Sequence, residues 1–191
     1  KGFTMQQHKQ LTVLIEASFM AVLAFIFALI PLDIGSAYEI ELGMIPIIIF
    51  SYRRGLKYGL LSGFLWGCIK LVSGDFTMLS ILQVLLEYIF AFAMAGMAGL
   101  AHPKIQAVVS QKKVNLSALT EAWSIGLAVL CKYGIHFIAG VIYWGMYAPE
   151  GMSPYLYSFI VNGSSAFATF LLTYILIHLL LRFAPRLIQA H

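Results

Sequence analysis

One short stretch of the sequence, KYGIHFIAGVIYWGMYAPEG at residues 132–151, places ionisable and aromatic side chains in a strongly apolar chain. Lys132 and His136 are four residues apart, so both lie on one face of a helix, about one turn from each other. Three aromatic residues follow closely: Tyr143, Trp144 and Tyr147. Charged groups in apolar surroundings are costly unless they face a partner or a wet cavity, so this stretch indicates a functional site.

The composition indicates an integral membrane protein. The chain has 191 residues, of which 61% are hydrophobic and 10% are charged, and its mean hydropathy is +0.88. These values lie far outside the range of soluble domains. The length fits one compact bundle, so residues 1–191 are predicted to form a single transmembrane domain.

The hydrophobic runs predict an all-α membrane protein with six transmembrane helices. They lie at roughly 11–30, 42–52, 56–73, 78–101, 116–142 and 154–183. A full span needs about 20 residues, so the second run predicts a tilted or partial helix, with residues 33–41 filling space on one side. The first run is too long for the core of a signal peptide, which indicates a retained helix.

Successive connections between the predicted helices alternate between mainly basic and mainly acidic residues. One set of connections and the termini carry Lys1, Lys9, Arg53, Arg54, Lys57, Lys104, Lys112, Lys113, Arg182 and Arg186. The other set carries Asp33, Glu39, Glu41, Asp75 and Glu150, with Lys70 close by. By the positive-inside rule, both termini are predicted to be cytoplasmic.

The predicted orientation gives each polar group inside the spans a depth. Glu87 lies about 14 Å below the outer surface at 1.5 Å per helical residue. Lys132 and His136 fall in the outer half of the fifth helix, and Tyr157 and Asn162 in the outer half of the sixth. The aromatic loop around Trp144 lies above the same region, so these residues predict a pocket that opens to the outside.

Simpler explanations stay open for these residues one by one. Glu87 and Lys132 could form an interhelical ion pair, and the others could supply interhelical hydrogen bonds or interfacial aromatic rings. These others are His136, Asn162, Tyr157 and Trp144. Their convergence at one depth favours a binding site. Glu16 and Glu121, near the cytoplasmic ends, are expected to be solvated.

The side chains of the pocket indicate the ligand class. Glu87 offers a negative charge and Trp144 a flat π face, while His136, Tyr157 and Asn162 offer directional hydrogen bonds. This set favours a small, flat, cationic and partly polar solute. Lys132 argues against a plain alkali cation, because it would repel one unless it is itself paired.

Motifs for enzymatic chemistry are absent from the sequence. It has no GxxxxGK[ST] loop for ATP, no GxSxG elbow and no HExxH zinc pair. An intramembrane hydrolase built on Ser164 or Ser165 with His136 is a minor alternative. The chain is predicted to bind a solute without catalysis, cofactor or metal.

Helix 1 carries a stripe of small residues: Ala17, Ala21, Ala24 and Ala28. Such stripes let membrane helices approach closely. The stripe could pack within the bundle, but we favour a docking face for a separate subunit.

Three segments together resemble one transporter family. They are LLEYIFAFAMAGMAG (85–99), KYGIHFIAGVIYWGMYAPEGM (132–152) and YSFIVNG (157–163). With the alanine stripe of EASFMAVLAFIFA, the chain resembles the thiamine-specific S-component of bacterial energy-coupling-factor (ECF) transporters over essentially its whole length. The resemblance implies a six-helix fold with a high-affinity thiamine site near the outer face, closed by the loop between helices 1 and 2.

The resemblance also implies roles for individual residues. Glu87 would meet the charged ligand and Trp144 would stack on a ring. The remaining polar contacts would come from His136, Tyr157 and Asn162, with Tyr88 and Lys132 at neighbouring positions. In the first loop, DIGSAYEIELG, family members can place a tryptophan, and Tyr38 and Glu41 are the nearest candidates for lid contacts here.

The implied partners are a membrane T-component, docked on the alanine face, and two ATPase subunits that alone use ATP. The implied location is the bacterial cell membrane, and no nucleic acid is involved. Two transport alternatives stay open: the same fold with another flat vitamin, and a solitary cation-coupled transporter that uses Glu87 as a proton site.

Overall fold

The computed structural model of the chain describes residues 5–32, 38–112 and 117–189. The helices are α1 (Met5–Ala28), α2 (Met44–Arg54), α3 (Leu56–Ser73), α4 (Ile81–Ser110), α5 (Ala118–Tyr147) and α6 (Pro154–Phe183). A short 3₁₀ turn, Pro185–Leu187, follows α6. No β-strand occurs in these residues, and the prediction of an all-α fold is confirmed.

Four of the helices, α1, α4, α5 and α6, are long and apolar enough to cross a membrane. The predicted short second helix corresponds to α2, whose 11 residues extend about 16 Å, less than the hydrocarbon thickness of a bilayer. Residues 33–37 of the predicted lid lie outside the described residues, as do Lys1 and Lys113 of the orientation argument.

Glycines bring the backbones of α3 and α4 into direct contact. A methyl group on Gly67 would lie 1.8 Å from the Tyr88 carbonyl oxygen, and one on Gly63 would lie 2.4 Å from that of Phe92. Because small residues allow this approach, the helices interlock without intervening side chains. The contact fixes the position of the part of α4 that carries Tyr88 and Phe92.

The alanine stripe of α1 packs inside the chain, which corrects the prediction of a docking face. Ala17, Ala21 and Ala24 are fully buried, and Ala28 is partly buried against the same core. The Ser62 hydroxyl of α3 donates a 2.8 Å hydrogen bond to the Ala17 carbonyl oxygen. The stripe therefore serves the close approach of α1 to its own neighbours, and larger side chains form the exposed face of the helix.

The prediction that Glu16 and Glu121 are solvated is wrong for Glu121, which is fully buried, whereas the Glu16 side chain is 23% exposed and is paired as well. Glu16 forms two hydrogen bonds with the Arg54 guanidinium, at 2.7 and 2.9 Å, and thereby joins α1 to the end of α2. Glu121 is fully buried, accepts a hydrogen bond from Ser117 and lies 2.9 Å from Nδ1 of His178. These contacts brace the end of the bundle opposite the cavity described next.

Candidate ligand-binding site

The helical geometry of α4 and α5 is irregular where the predicted site residues lie. Leu85–Phe90 of α4 and Gly140–Trp144 of α5 are π-helical, and 3₁₀ segments follow at Ala95–Ala101 and Gly145–Tyr147. A π turn inserts an extra residue and rotates the side chains that follow, and such turns are frequent at functional sites. Here one π segment carries Glu87 and the other carries Trp144.

A cavity of about 590 Å³ lies between α4, α5, α6 and the connection from α1 to α2. Eight of the nine predicted substrate-binding residues line it: Glu41, Glu87, Tyr88, Lys132, His136, Trp144, Tyr157 and Asn162. Tyr38 is the exception, since it lies outside the cavity wall and is 36% exposed. The volume is typical of pockets that enclose a small organic ligand.

The Glu87 carboxylate is held by groups from two helices. The Trp144 indole nitrogen donates to both of its oxygens, at 3.0 and 3.2 Å, and the Gln83 side-chain amide donates from one turn earlier on α4. Nδ1 of His136 lies 3.8 Å from the same carboxylate. Glu87 is only 7% exposed, so its carboxylate is fixed at the cavity wall by these partners and is largely shielded from solvent.

Lys132 pairs with Glu41, not with Glu87 as the ion-pair alternative supposed. Its Nζ lies 2.6 Å from Oε2 of Glu41, 3.3 Å from Nε2 of His136 and 4.5 Å from the centre of the Phe92 ring. Burial raises the pKa of Glu41, but the nearby positive charges of Lys132 and Lys70, with the Lys132 hydrogen bond, together hold the pKa below its usual value.

One oxygen of the Glu41 carboxylate is not used by the Lys132 ion pair. Its second oxygen, Oε1, is buried and has no hydrogen-bond partner among the described residues. A buried carboxylate oxygen without a donor is costly, and a ligand N–H or O–H group in the cavity would satisfy it.

Hydroxyl groups of α6 hold down the connection that carries Glu41. The backbone N–H of Glu41 donates to Thr169 at 3.1 Å, and that of Glu39 donates to Ser165 at 3.2 Å. The Tyr133 hydroxyl lies 2.9 Å from the same Thr169 oxygen. The described part of the connection therefore closes one side of the cavity.

The polar side chains of α6 near the cavity form hydrogen bonds mainly within α6 itself. The Asn162 amide nitrogen donates to Ser158 at 3.1 and 3.2 Å and lies 3.5 Å from the His136 carbonyl oxygen, the interhelical contact that the simpler explanation predicted. Ser164 bonds back to carbonyl groups of its own helix, while Ser165 holds the connection. In the described residues neither serine has a hydrogen bond with His136, so a hydrolase site on this pair has no support.

The family described as "Thiamine transporter protein (Thia_YuaJ)" matches residues 14–189 of the sequence. This chain belongs to that thiamine transporter family. The resemblance to thiamine-specific proteins inferred from the motifs is thereby confirmed.

Individual relatives in the thiamine transporter family match along nearly the whole chain. A "Thiamine transporter ThiT" of Lacticaseibacillus paracasei is 42% identical, covering 97% of this chain and 94% of the relative. One of Bacillus subtilis is 30% identical, covering 97% and 98%. A solved ThiT structure from Listeria monocytogenes superimposes with a TM-score of 0.92 at 32% identity, covering 95% of this chain and 99% of that one. With its apolar helices, this family member is a multi-pass bacterial membrane protein.

The cavity wall also contains residues that the sequence did not predict as part of the site. Lys70 is 8% exposed, lies 3.3 Å from Asp75 and sits 5.5 Å from the centre of the Phe92 ring. The signal was present, because Lys70 breaks the positive-inside pattern. Further wall residues missed are Glu39, Phe92, Tyr133, Ser158 and Ser165. The wall thus contains three carboxylates and two ammonium groups.

Proposed function

We propose that this chain is the thiamine-binding subunit, or S-component, of an ECF-type vitamin uptake transporter. The proposal rests mainly on the cavity of about 590 Å³ in a member of the thiamine transporter family, with the Glu87 carboxylate fixed at its wall beside Trp144. Thiamine is a cation with two flat rings, a thiazolium and a polar aminopyrimidine, joined by a methylene group. A buried negative charge next to an aromatic face is the arrangement that favours such a ligand.

The eight wall residues that the sequence predicted have proposed roles in binding. Glu87 is the counter-charge and hydrogen-bond acceptor for thiamine, and Trp144 stacks on one of its rings. The polar contacts come from His136, Tyr157 and Asn162, with Tyr88 beside them. Glu41 offers its unpartnered oxygen to a ligand donor, whereas Lys132 mainly holds Glu41 in place. The lid role that the resemblance implied for Tyr38 has no support in its exposed position.

We propose that residues 1–191 form one substrate-binding domain with six spans and cytoplasmic termini. The apolar helices α1, α4, α5 and α6 would cross the membrane fully, while α2 and α3 complete the bundle. The exposed basic side chains Lys9, Lys57, Lys104 and Arg182 lie at the end of the helices opposite the cavity. This distribution agrees with an outward-facing site under the positive-inside rule.

The proposed partners are a T-component in the membrane and two ATPase subunits that supply the energy for uptake. The sequence contains no GxxxxGK[ST] loop for ATP, so ATP-driven uptake would require a nucleotide-binding partner. The proposed role of this chain is binding without catalysis, and it requires no cofactor of its own.

A titration of detergent-purified protein with thiamine, followed by tryptophan quenching, tests the function. We expect saturable binding without ATP and no comparable binding of riboflavin or biotin. Tighter binding of riboflavin than of thiamine would assign another flat vitamin. Transport by this chain alone in liposomes, driven by a pH gradient, would overturn the subunit role in favour of a solitary transporter.

A further inference from the structure

Gln83 is fully buried one helical turn before Glu87. Both the nitrogen and the oxygen of its side-chain amide form hydrogen bonds. Its Nε2 donates to the Glu87 carboxylate and, at 3.1 Å, to the Thr77 carbonyl oxygen. Its Oε1 accepts from the Leu79 backbone N–H at 3.0 Å. Gln83 is not part of the described cavity wall, so it can act on a ligand only through its neighbours.

The connection from α3 to α4 braces two adjacent wall residues. Gln83 links it to Glu87, and the Thr77 backbone N–H donates directly to the Tyr88 hydroxyl at 3.1 Å. Lys70 anchors the other end of the connection through its 3.3 Å ion pair with Asp75. Residues 74–80 therefore support Glu87 and Tyr88 on the side that faces away from the cavity.

The contacts of Gln83 require an amide. Only an amide combines two N–H donors with a carbonyl acceptor on one side chain of this length. A carboxylate would repel Glu87 and could not donate to Thr77. A hydrocarbon would leave the Leu79 N–H and the Thr77 carbonyl without partners, at a cost for each buried group.

We propose that Gln83 is a positioning residue for ligand binding. By holding one oxygen of Glu87 against the connection from α3 to α4, it fixes the orientation in which the carboxylate faces the cavity. The inference rests on the proposed function, in which Glu87 is the counter-charge of thiamine. Orienting the carboxylate before the ligand arrives removes an ordering cost from binding and so raises the affinity.

Isothermal titration calorimetry with thiamine on the purified protein tests this role. We expect Gln83→Leu to weaken binding roughly 10- to 100-fold, the loss typical of a hydrogen bond to a charged group. Gln106→Leu is the matched control, because the Gln106 amide donates to the carbonyl oxygens of Tyr52 and Ile188 at the opposite end of the bundle. We expect it to lower the thermal stability and leave the affinity unchanged.

Gln83→Glu provides a second test, the pH dependence of thiamine affinity, which a purely structural role of Gln83 would not change. Near pH 8 the introduced carboxylate repels Glu87, whereas towards about pH 6 it takes up a proton and can again donate a hydrogen bond. The titratable groups that face this position are Glu87, His136 and Tyr88, with Lys70 and Asp75 behind them. We therefore compare the affinity with that of the unmodified protein at each pH, and expect the deficit to shrink as the pH falls.

Unchanged affinity in Gln83→Leu would overturn the positioning role while leaving thiamine binding intact. A pH-independent deficit in Gln83→Glu would overturn it as well, and this variant decides the matter if Gln83→Leu does not fold. Absence of thiamine binding by the unmodified protein would overturn the proposed function and this inference together.

Discussion

The Trp144 indole nitrogen bridges both carboxylate oxygens of Glu87, at 3.0 and 3.2 Å. The two residues come from π-helical segments of different helices, so this contact joins α4 to α5 across the cavity. A single N–H shared between two oxygens fixes the carboxylate without neutralising its charge. The charge is therefore available to a cationic ligand.

Replacing Glu87 by glutamine is expected to weaken thiamine binding about 10- to 100-fold. The change removes the negative charge and turns one acceptor into an NH₂ group that faces other donors. Isothermal titration calorimetry measures the loss. Glu121→Gln is the control, because Glu121 is likewise a buried carboxylate beside a histidine, His178, but lies at the other end of the bundle. It should reduce thermal stability alone, and equal affinity losses in the two variants would contradict the assignment.

Trp144 is expected to supply a ring face as well as a hydrogen bond. Trp144→Ala should weaken thiamine binding by about tenfold or more, and Trp144→Phe should recover part of the loss because an aromatic face remains. Calorimetry is the suitable measurement, since these variants change the fluorescence. Trp123→Ala, at a 39% exposed position on the same helix, should bind like the unmodified protein. A similar loss in Trp123→Ala would show that the effect is not local to the cavity.

The ion pair of Lys132 with Glu41 is expected to show strong coupling in a double-mutant cycle. Lys132→Met alone should cost about 3–5 kcal/mol of stability, because it leaves the buried Glu41 charge uncompensated. Adding Glu41→Leu should restore most of that stability. Thermal unfolding of the purified variants measures both.

The second lysine of the cavity provides the comparison for this cycle. Lys70 pairs with Asp75, whose side chain is 54% exposed, so Lys70→Met should cost at most about 1 kcal/mol. A double variant at Lys132 and Glu41 as unstable as the Lys132→Met variant would show that the pair is not the source of the coupling.

The backbone contact between α3 and α4 is expected to tolerate no side chain at Gly67. Gly67→Ala places its methyl group against the Tyr88 carbonyl oxygen and should destabilise the protein by about 1–3 kcal/mol, with weaker thiamine binding because Tyr88 must move. Gly134→Ala is the matched control, since nothing lies within 4 Å of the added methyl group. It should be neutral or stabilising by up to about 1 kcal/mol. Equal effects of the two substitutions would argue against the close contact.

The sequence was sufficient to predict which charged and aromatic residues converge. Charge placement and helical rise put Glu87, His136 and Trp144 at one depth, and the cavity contains all three. The pairing of Lys132 was not predictable in this way, because its partner, Glu41, lies in a connection without a repeating pattern. The π segments add a further limit, since a regular helical period cannot give the faces of the residues that follow them.

The roles of neutral and small residues were also not predictable from the sequence. Gln83 carries no charge, so nothing in its type distinguished it from other polar residues near the apolar runs. The alanine stripe predicted a close helix contact, and that contact exists within the chain. Small residues specify the distance of approach, but they do not distinguish a helix of the same chain from a helix of a partner.

The balance of charges on the cavity wall matters for uptake across an energised membrane. The wall contains three carboxylates and two ammonium groups: Glu39, Glu41, Glu87, Lys70 and Lys132. With His136 neutral, the empty wall carries a formal charge of −1, and a monovalent cation brings it to zero. Moving a charge through the membrane potential requires work in proportion to that charge. Under the proposed function, the five wall groups and a bound monovalent cation together carry no net formal charge, so they contribute no electrical work if the loaded site moves through the field.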